Sequence, residues 1–452
     1  MALPKKLLIA NRGEIARRIQ RTARRLGIAT VAVYSDADAD APFVKEADEK
    51  VRIGPPAPKE SYASVDAIVH ALKSSGADAV HPGYGFLSEN ENLVAACRDL
   101  GVTFVGPSVH AMRAMGSKIE SKITMVEAGV PVVPGPIHAL EHEDDAVKAA
   151  FAVGYPVMLK ASAGGGGIGM SKCRNEKQLR SAFEDARKKG EMFFGSSRVF
   201  IEKCIEKPHH VEVQILADKH GNVHHLFERE CSVQRRNQKV LEETPSPLVD
   251  RFPGMREKLC EAAVLAAKAV SYENAGTVEF VAAEDGSFYF LEMNTRLQVE
   301  HPITEATTGL DLVELQLRVA GGERFDGLPA FTRKGHAIEL RVCAEDPDKR
   351  FFPSPGTVSE AVWPAGDGIR VDAGVESGSV VPPFYDSLLA KMIGFGSDRA
   401  QAITRLQQAL SSTTVSGIKT NLEMHKRVLS HEAFARGETD TSFLEIHLGL
   451  KS

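Results

Sequence analysis

The chain has 452 residues, of which 43% are hydrophobic and 25% charged, and its formal net charge at pH 7 is −5. This length predicts about three domains. The slightly acidic net charge gives no reason to expect nucleic acid as a partner. Because the sequence has no run of about 18 uncharged apolar residues, we expect no membrane span. The six cysteines are far apart and form no C-x-x-C pair, which is typical of free thiols in a reducing compartment, so we expect a cytoplasmic protein.

The first 110 residues alternate between strand and helix patterns. The segment "KLLIA" predicts a strand, and "EIARRIQRTARRLG" predicts a helix that has Ile15, Ile19 and Thr22 on one stripe and ends at Gly27. The segments "ATVAVYS" and "ADAVHPG" follow as further strands, so we expect a doubly wound parallel sheet with ligands at the carboxyl ends of its strands. The stretch "HPGYGFLSEN" at 81–90 lies at such an end. It is either a functional loop or an ordinary Pro/Gly turn.

A glycine-rich stretch, "KASAGGGGIGMSK" at 160–172, has five glycines in six positions. It does not match the P-loop pattern, because Met170 stands where a lysine is required, and its match to G-x-G-x-x-G lacks the helix that should follow. The flanking segments "YPVMLKAS" and "MSKCRN" alternate like strands. We therefore expect a hairpin lid whose amides fold over phosphates. Lys160, at the end of the incoming strand, favours an anion as the ligand, and a surface linker is the alternative.

A group of basic residues lies in "ECSVQRRNQKVLEE" at 230–243. Arg235, Arg236 and Lys239 together could hold anionic charge, because guanidinium and ammonium groups donate charge-assisted hydrogen bonds. The alternative is a solvated surface patch, which is the commoner structure for such a run.

The stretch "GTVEFVAAEDGSFYFLEMNTR" at 276–296 predicts a hairpin that turns at Asp285-Gly286. A two-residue turn pairs 284 with 287 and places Glu279 directly opposite Glu292. Like charges in this position repel each other, so a cation between them is a natural explanation. Asn294 lies on the same face, and two carboxylates with an amide oxygen suit Mg²⁺ or Mn²⁺. Two solvated glutamates on an edge hairpin are the alternative. Together with the lid, this site predicts an enzyme that uses ATP.

The next segment, "RLQVEHPITE" at 296–305, is predicted to continue the strand until Pro302 stops it. In that conformation Arg296 and Gln298 share one face and Glu300 follows. Arginine binds small oxyanions in a bidentate manner, and a nearby glutamate can act as a general base. Further along the chain, residues 335–400 predict short antiparallel strands, and 398–447 predict a helical end.

Six motifs together resemble the biotin carboxylase family, the ATP-grasp component of biotin-dependent carboxylases. They are "NRGEIARRI", "HPGYGFLSEN", "KASAGGGGIGM", "ERECSVQRRNQKVLEETPSP", "FLEMNTRLQVEHPITE" and "GIKTN". The resemblance implies an α/β and α+β fold. We expect a Rossmann-like pre-ATP-grasp domain at 1–117, an ATP-grasp lid at 131–203, an ATP-grasp core at 204–330 and a C-terminal biotin carboxylase cap at 335–447.

The resemblance also implies a set of functional residues. For ATP these are Lys118, Lys160, Gly165, Gly166, Gly167, Glu202, Lys203, Ile205, His210, Gln234 and Asn237. For the metal they are Glu279, Glu292 and Asn294. For bicarbonate they are Lys239, Arg296, Gln298, Val299 and the base Glu300. For biotin they are Tyr84 and Arg341. The implied catalytic residues are Glu300, Arg296, Arg341 and Lys239, and the implied reaction converts ATP, bicarbonate and biotin into ADP, phosphate and carboxybiotin through carboxyphosphate.

Three positions depart from the family pattern. Ile168 replaces a residue that is basic in many relatives and, with "YPVMLK" and "MFFG", resembles the urea carboxylase branch. Arg25 and Asp367 differ from residues that support the homodimer of the bacterial acetyl-CoA carboxylase component. The homodimer expected from the family is therefore open for this chain.

The sequence contains no Met-Lys-Met triplet of the kind that carries biotin, and the nearest string, "LAKMIG" at 389–394, predicts an ordinary strand. The expected partners are therefore a separate biotin carboxyl carrier protein and a carboxyltransferase subunit. The acceptor of the carboxyl group stays open among acetyl-CoA, other acyl-CoA esters, pyruvate, and urea or related amides. A carboxylate–amine ligase and a nucleotide-binding regulatory subunit without turnover are the alternative functions.

Overall fold

The structure, a computed structural model, describes residues 3–161, 169–327 and 331–450. Its first part, the N-terminal unit, has a parallel five-stranded sheet in the order β3-β2-β1-β4-β5. The strands are β1 Lys6–Ile9, β2 Ala29–Ser35, β3 Glu49–Gly54, β4 Ala79–His81 and β5 Thr103–Phe104. Because the order reverses between β1 and β4, the sheet is doubly wound, as predicted, and the loops after these two strands meet at one edge.

The helices of this unit are α1 Gly13–Arg25, α2 Pro42–Glu46, α3 Val65–Ser75, α4 Glu91–Leu100, α5 Val109–Gly116 and α6 Lys118–Glu127. Helix α1 buries Ile15 and Ile19, as the stripe predicts, and Gly27 follows it with φ +71°. It also buries two charged side chains, Glu14 and Arg18, because it packs against the C-terminal strands as well as against its own sheet.

The lid unit follows with α7 Glu143–Val153, β6 Val157–Ala161, β7 Met170–Cys173, α8 Glu176–Phe194 and β8 Val199–Lys203. Its sheet has the order β7-β6-β8, and β6 pairs with β7 antiparallel from Val157–Cys173 to Lys160–Met170. The two strands predicted on either side of the glycine-rich stretch are therefore confirmed. Gly165, Gly166, Gly167 and Ile168 lie outside the described residues.

An antiparallel eight-stranded sheet, called the large sheet below, has the order β13-β12-β9-β10-β11-β14-β21-β19. The segment that follows the lid unit supplies β9 His209–Ala217, β10 Val223–Arg235, β11 Gln238–Thr244, α9 Pro247–Arg251, α10 Met255–Ala269, β12 Asn274–Ala282, β13 Phe288–Asn294, α11 His301–Thr308 and α12 Leu312–Ala320. Strand β11 pairs directly with β14. The large sheet thus includes strands from both sides of the predicted boundary at 330–335, and the division into domains stays a prediction.

The C-terminal segment supplies β14 His336–Cys343, β15 Glu345–Asp346, β16 Phe352–Pro353, β17 Gly356–Thr357, β18 Glu360–Val362, β19 Ile369–Ala373, β20 Val380–Val381, β21 Leu388–Gly396, α13 Arg399–Ser412, β22 Thr414–Ser416, α14 Leu422–Leu429, α15 Glu432–Ala435 and α16 Phe443–Leu448. Helix α13 packs on β21, where Ile338, Met392 and Leu406 share one hydrophobic core. The six cysteines are free, as expected. In the parts of the chain described, no helix combines the length and the apolar character needed to cross a membrane.

Candidate active site

A cavity of about 910 Å³ opens between the N-terminal unit, the lid unit, the large sheet and the C-terminal strands. Its lining brings together most of the residues predicted to form one site. They are Tyr84, Lys118, Lys160, Glu202, His210, Gln234, Asn237, Lys239, Glu279, Glu292, Asn294, Arg296, Gln298, Val299 and Arg341. Glu300 is fully buried beside this lining and contacts Lys239.

Glu279 and Glu292 lie directly opposite each other on β12 and β13, as predicted. The turn is one residue longer than predicted, because Ala283 pairs with Ser287 and Gly286 takes the left-handed conformation with φ +84° that three-residue hairpin loops require. The predicted pairing of 284 with 287 is therefore wrong. A bulge between the Glu279–Glu292 and Phe280–Phe290 pairs adds one residue to β13 and restores the register of the two glutamates.

The two facing carboxylates differ in their surroundings. Glu279 Oε1 accepts a hydrogen bond from Lys239 at 2.8 Å, and its Oε2 lies 2.8 Å from His210 Nε2. Burial opposes ionisation of Glu279, but Lys239 and His210 outweigh this effect and hold its pKa well below the ordinary value. Burial and the charge of Glu279 raise the pKa of Glu292. Among the residues that the structure describes, none forms a hydrogen bond or an ion pair with the carboxylate of Glu292.

This arrangement fits a divalent cation. Glu292 offers carboxylate oxygens without a protein donor among the described residues, and Asn294 and Glu279 lie beside it, joined by a hydrogen bond of 2.9 Å. Hard oxygen donors of this kind suit Mg²⁺ or Mn²⁺. A cation would also offset the repulsion that raises the pKa of Glu292.

Lys239 joins three buried carboxylates. Its Nζ donates to Glu212 at 2.6 Å, to Glu279 at 2.8 Å and to Glu300 at 2.7 Å. An ammonium group has three donors, and here each has a carboxylate acceptor. The position follows from the β10–β11 hairpin, whose two-residue turn sets Lys239 directly opposite Gln234.

Arg341, on β14, contacts Glu300 from the other side. Its Nη2 donates to Glu300 Oε2 at 3.0 Å, while its Nε donates to Glu242 at 2.6 Å. Glu300 is completely buried, yet Lys239 and Arg341 hold its pKa well below the ordinary value, so it is ionised at neutral pH. Burial raises the pKa of Glu242 to about 7, although Arg341 opposes this shift.

Arg296, Gln298 and Glu300 come from a turn and not from a continued strand. Strand β13 ends at Asn294, and α11 begins at His301 with Pro302 in its first turn. The predicted strand through 300 is wrong, because proline is tolerated in the first turn of a helix and here belongs to one. Arg296 and Gln298 nevertheless face each other, with Arg296 Nη1 donating to Gln298 Oε1 at 3.0 Å.

The lid end of the cavity carries a pair of lysines around Glu202. Lys160 Nζ donates to Glu202 at 2.5 Å and Lys122 Nζ at 3.0 Å. Burial disfavours the charged carboxylate, but the two ammonium groups prevail and lower its pKa. Lys203 Nζ donates to the carbonyl oxygens of Gly154 and Tyr155 and so points away from the cavity. Neither its side chain nor that of Ile205 belongs to the cavity lining.

The middle of the cavity holds His210, Gln234 and Asn237. Gln234 Nε2 lies 2.8 Å from His210 Nδ1. Burial lowers the pKa of His210, but Glu279 outweighs this effect and raises it above the ordinary value. Asn237 lies in the β10–β11 turn with φ +61°, a conformation that asparagine tolerates better than most residues.

The predicted basic cluster is divided between two surroundings. Arg235 forms an ion pair with Glu345 at 3.0 Å and lies over the ring of Phe351. Arg236 is exposed in the turn, whereas Lys239 is half-buried in the cavity. Arg235 and Lys239 nevertheless both line the cavity. That these basic residues hold anionic charge stays a prediction.

Tyr84 approaches the same cavity from the loop after β4. Asn11 fixes this loop by donating to the carbonyl oxygens of Pro82 and Tyr84, both at 2.7 Å. The Tyr84 hydroxyl donates to Glu14 at the start of α1. The segment "HPGYGFLSEN" is thus part of the cavity wall and not an isolated turn.

Sequence reasoning missed several charged residues that support the site. Arg229 is fully buried and donates to Glu212 at 2.6 Å, while Lys122 and Glu242 pair with predicted residues. A signal was present in the sequence, because Glu212 lies between two valines of β9 and Arg229 lies between two glutamates inside β10. Charges at such positions are seldom buried unless they are paired.

Family models match three successive parts of the chain. The model described as "Biotin carboxylase, N-terminal domain" matches residues 3–112. "Carbamoyl-phosphate synthase L chain, ATP binding domain" matches 117–328, and "Biotin carboxylase C-terminal domain" matches 339–446.

Known relatives match at about half identity. A biotin carboxylase of Halalkalibacterium halodurans is 52% identical over 449 residues, covering 99% of each chain. One of the subunits of the pyruvate carboxylase of Methanothermobacter thermautotrophicus is 50% identical, covering 97% of this chain and 89% of that one. The alpha chain of the mitochondrial methylcrotonoyl-CoA carboxylase of Arabidopsis thaliana is 49% identical, covering 98% of this chain and 60% of that one.

A solved structure matches with a TM-score of 0.94 and 44% identity, covering 100% of this chain and 99% of that one. It is the biotin carboxylase domain dimer of the Hydrogenobacter thermophilus 2-oxoglutarate carboxylase, in complex with MgADP, ADP and bicarbonate.

Proposed function

This chain belongs to the biotin carboxylase family and is an ATP-dependent ligase, the biotin carboxylase component of a biotin-dependent carboxylase, and from this premise we propose how its residues divide the reaction. The observation that carries the proposal is the contact of Glu300 with both Lys239 and Arg341 in one cavity. The proposed base is thereby placed between a lysine that faces the metal site and an arginine from the C-terminal segment.

The lid end of the cavity would bind the nucleotide. Lys118 and Lys160 would contact phosphates, and Lys160 would then exchange its bond with Glu202 for one with a phosphate oxygen. The backbone at Glu202, Lys203 and Ile205 would face the adenine, since the side chain of Lys203 is engaged elsewhere. His210, Gln234 and Asn237 would line the remainder of the nucleotide site. The glycines at 165–167, outside the described residues, are proposed as further ATP-binding residues.

Glu279, Glu292 and Asn294 would hold Mg²⁺ or Mn²⁺ beside the phosphates. When bound, the metal supplies charge neutralisation for the oxygens of the transferred phosphoryl group.

Bicarbonate would bind to Lys239, Arg296, Gln298 and the amide of Val299. Glu300 is ionised and would accept the bicarbonate proton, which leaves an oxygen anion free to attack the γ-phosphorus of ATP. The products of this step are ADP and carboxyphosphate. Carboxyphosphate would then break down to CO₂ and phosphate, and the phosphate would take the proton from the ureido nitrogen of biotin. That nitrogen attacks CO₂, and carboxybiotin results.

Arg341 would stabilise the developing negative charge on the ureido oxygen of biotin, because its guanidinium lies at the cavity surface. Tyr84 would contact the biotin ring. Both side chains are held by carboxylates, Arg341 by Glu242 and Tyr84 by Glu14. The site would therefore present them in fixed positions.

We propose further that the biotin belongs to a separate carrier protein. Lys391, the lysine of "LAKMIG", is fully buried in β21 and is unsuited to attachment of biotin. A carboxyltransferase subunit would complete the enzyme, with an acyl-CoA ester as the acceptor. The relation to a methylcrotonoyl-CoA carboxylase supports this acceptor, and the relation to a pyruvate carboxylase supports pyruvate as the second candidate. The chain would work as a homodimer in the cytoplasm.

The experiment is an assay of the purified chain with MgATP, bicarbonate and free biotin. We expect ATP hydrolysis that depends on bicarbonate and rises when biotin is added. ATP hydrolysis that ignores both would support a carboxylate–amine ligase instead. Addition of biotinylated carrier and of candidate carboxyltransferases, with acetyl-CoA, other acyl-CoA esters, pyruvate or urea, would then identify the acceptor.

A further inference from the structure

Lys391 is a fully buried lysine that the reaction scheme above does not use. Burial of an ammonium group costs several kcal/mol unless it is paired. Here Nζ donates to the carbonyl oxygen of Val299 at 2.9 Å and lies 3.2 Å from Glu14 Oε2, close enough for an ion pair although not aligned as a hydrogen bond. The side chain therefore joins β21 to two other segments.

The register of the large sheet explains this position. Lys391 is directly opposite Arg341 on β14 and directly opposite Asp372 on β19. Residues that face each other in antiparallel strands project to the same side of the sheet, so these three side chains form a row. The start of α1 covers the row, and a Cβ at Gly374, just after β19, would lie 2.7 Å from the Glu14 nitrogen.

Both partners of Lys391 lead to residues with proposed roles. The carbonyl of Val299 belongs to the same planar peptide as the nitrogen of Glu300, so its orientation sets the backbone of the proposed base. Glu14 accepts the hydrogen bond of Tyr84 with its other oxygen. Lys391 is thus linked to the bicarbonate side of the cavity by one hydrogen bond. It is linked to the biotin side through its ion pair with Glu14 and the hydrogen bond from Tyr84 to Glu14.

We propose that Lys391 is a positioning residue, which holds Glu300 and Tyr84 in register for carboxylation without contacting a substrate. This inference rests on the proposed roles of those two residues. A role limited to stability would affect every activity alike. A positioning role would affect the bicarbonate and biotin steps and spare nucleotide binding. The hydrogen bond of Lys391 goes to Val299, whereas Lys160 and Glu202 bond to each other at the lid end.

The test compares Lys391→Met and Lys391→Arg with the wild type and with the control Lys349→Met, whose side chain is 77% exposed. For each protein, the Kd of MgADP, the kcat and KM for bicarbonate in ATP hydrolysis, and the rate of biotin carboxylation are measured. We expect Lys391→Met to bind MgADP within about twofold of the wild type and to lose on the order of 10- to 100-fold in kcat/KM for bicarbonate. Lys391→Arg should recover part of the loss.

Catalytic constants of Lys391→Met within twofold of the wild type would overturn the inference, and so would a loss of MgADP binding in the same proportion as activity. If Lys391→Met does not fold, the double variant Lys391→Met/Glu14→Gln, which removes both charges of the pair, is judged by the same criteria. Failure of both variants to fold would make the role structural and refute the proposal. A wild-type protein without bicarbonate-dependent ATP hydrolysis would instead refute the proposed function.

Discussion

Glu279 and Glu292 face each other across β12 and β13. Lys239 and His210 contact Glu279 but not Glu292. The negative charge of Glu279 is offset by these partners, whereas Glu292 is left beside a like charge. The proposed divalent cation on the Glu292 side would offset the repulsion between the two carboxylates.

Glu292→Gln should raise the Mg²⁺ concentration needed for half-maximal ATP hydrolysis by about tenfold or more, because a carboxylate ligand is lost. The fold should persist, since the raised pKa of Glu292 shows that its charge is not stabilising there. The measurement is a Mg²⁺ titration of activity with thermal unfolding in parallel. Glu284→Gln, in the exposed turn of the same hairpin, serves as the control. An unchanged Mg²⁺ requirement would contradict the metal site.

Glu300→Gln and Arg341→Ala should have different phenotypes. Glu300→Gln should abolish all bicarbonate-dependent activity, because the group that takes the bicarbonate proton is lost. Arg341→Ala should lose about tenfold in bicarbonate-dependent ATP cleavage, since Arg341 also holds Glu300, but roughly 10²–10³-fold in carboxybiotin formation. Both activities are measured side by side. Equal proportional losses in the two variants would refute the separate roles.

The pH dependence of stability should contain a contribution from Glu242. Its pKa in the folded protein is about 7, above the ordinary value of 4.5, so the folded state holds a proton that the unfolded state releases between these values. The contribution of this group to the free energy of unfolding is fully present below about pH 4.5 and is lost as pH rises through about 7. Urea unfolding between pH 5 and 8 should show a steeper decline in the wild type than in Glu242→Gln. The exposed Glu360→Gln should retain the slope of the wild type, and a slope unchanged in Glu242→Gln would contradict the assignment.

Arg229→Met should destabilise the protein by about 3–5 kcal/mol, because it leaves a buried charge without one of its partners. Arg229 is fully buried and donates to Glu212, Gln214 and Thr304. Urea denaturation measures the change, with Arg98→Met at an exposed position as the control. A change below about 1 kcal/mol would show that Lys239 alone satisfies Glu212.

The local elements can be predicted from the sequence, since each carries its own periodic signal. Strand β2 begins and ends at the predicted residues, and the glutamate pair has the predicted register even though the turn and the bulge each depart from the simple hairpin. Those two departures cancel, and nothing in the local pattern announces the bulge. The predicted register is therefore correct, although the two-residue turn from which it was predicted does not occur.

The charged interior cannot be predicted in the same way. Glu14 lies in α1 and Lys391 in β21, far apart in the sequence, and they meet only because α1 covers the C-terminal strands. The turn at 295–300 departs from its predicted strand for a related reason. Its residues are held by contacts with distant segments, such as Lys391 with Val299, and not by a local alternation.

The direct pairing of β11 with β14 has a consequence for how the polypeptide can be divided. A chain cut between them would leave β11, whose residues from Leu241 to Thr244 are buried, as an open edge with unpaired amide and carbonyl groups. The unpaired amide and carbonyl groups of an open edge are a template for pairing with another chain. The part of the chain before β14 should therefore tend to self-associate when produced alone, and the C-terminal segment acts in part as the strand that covers its edge.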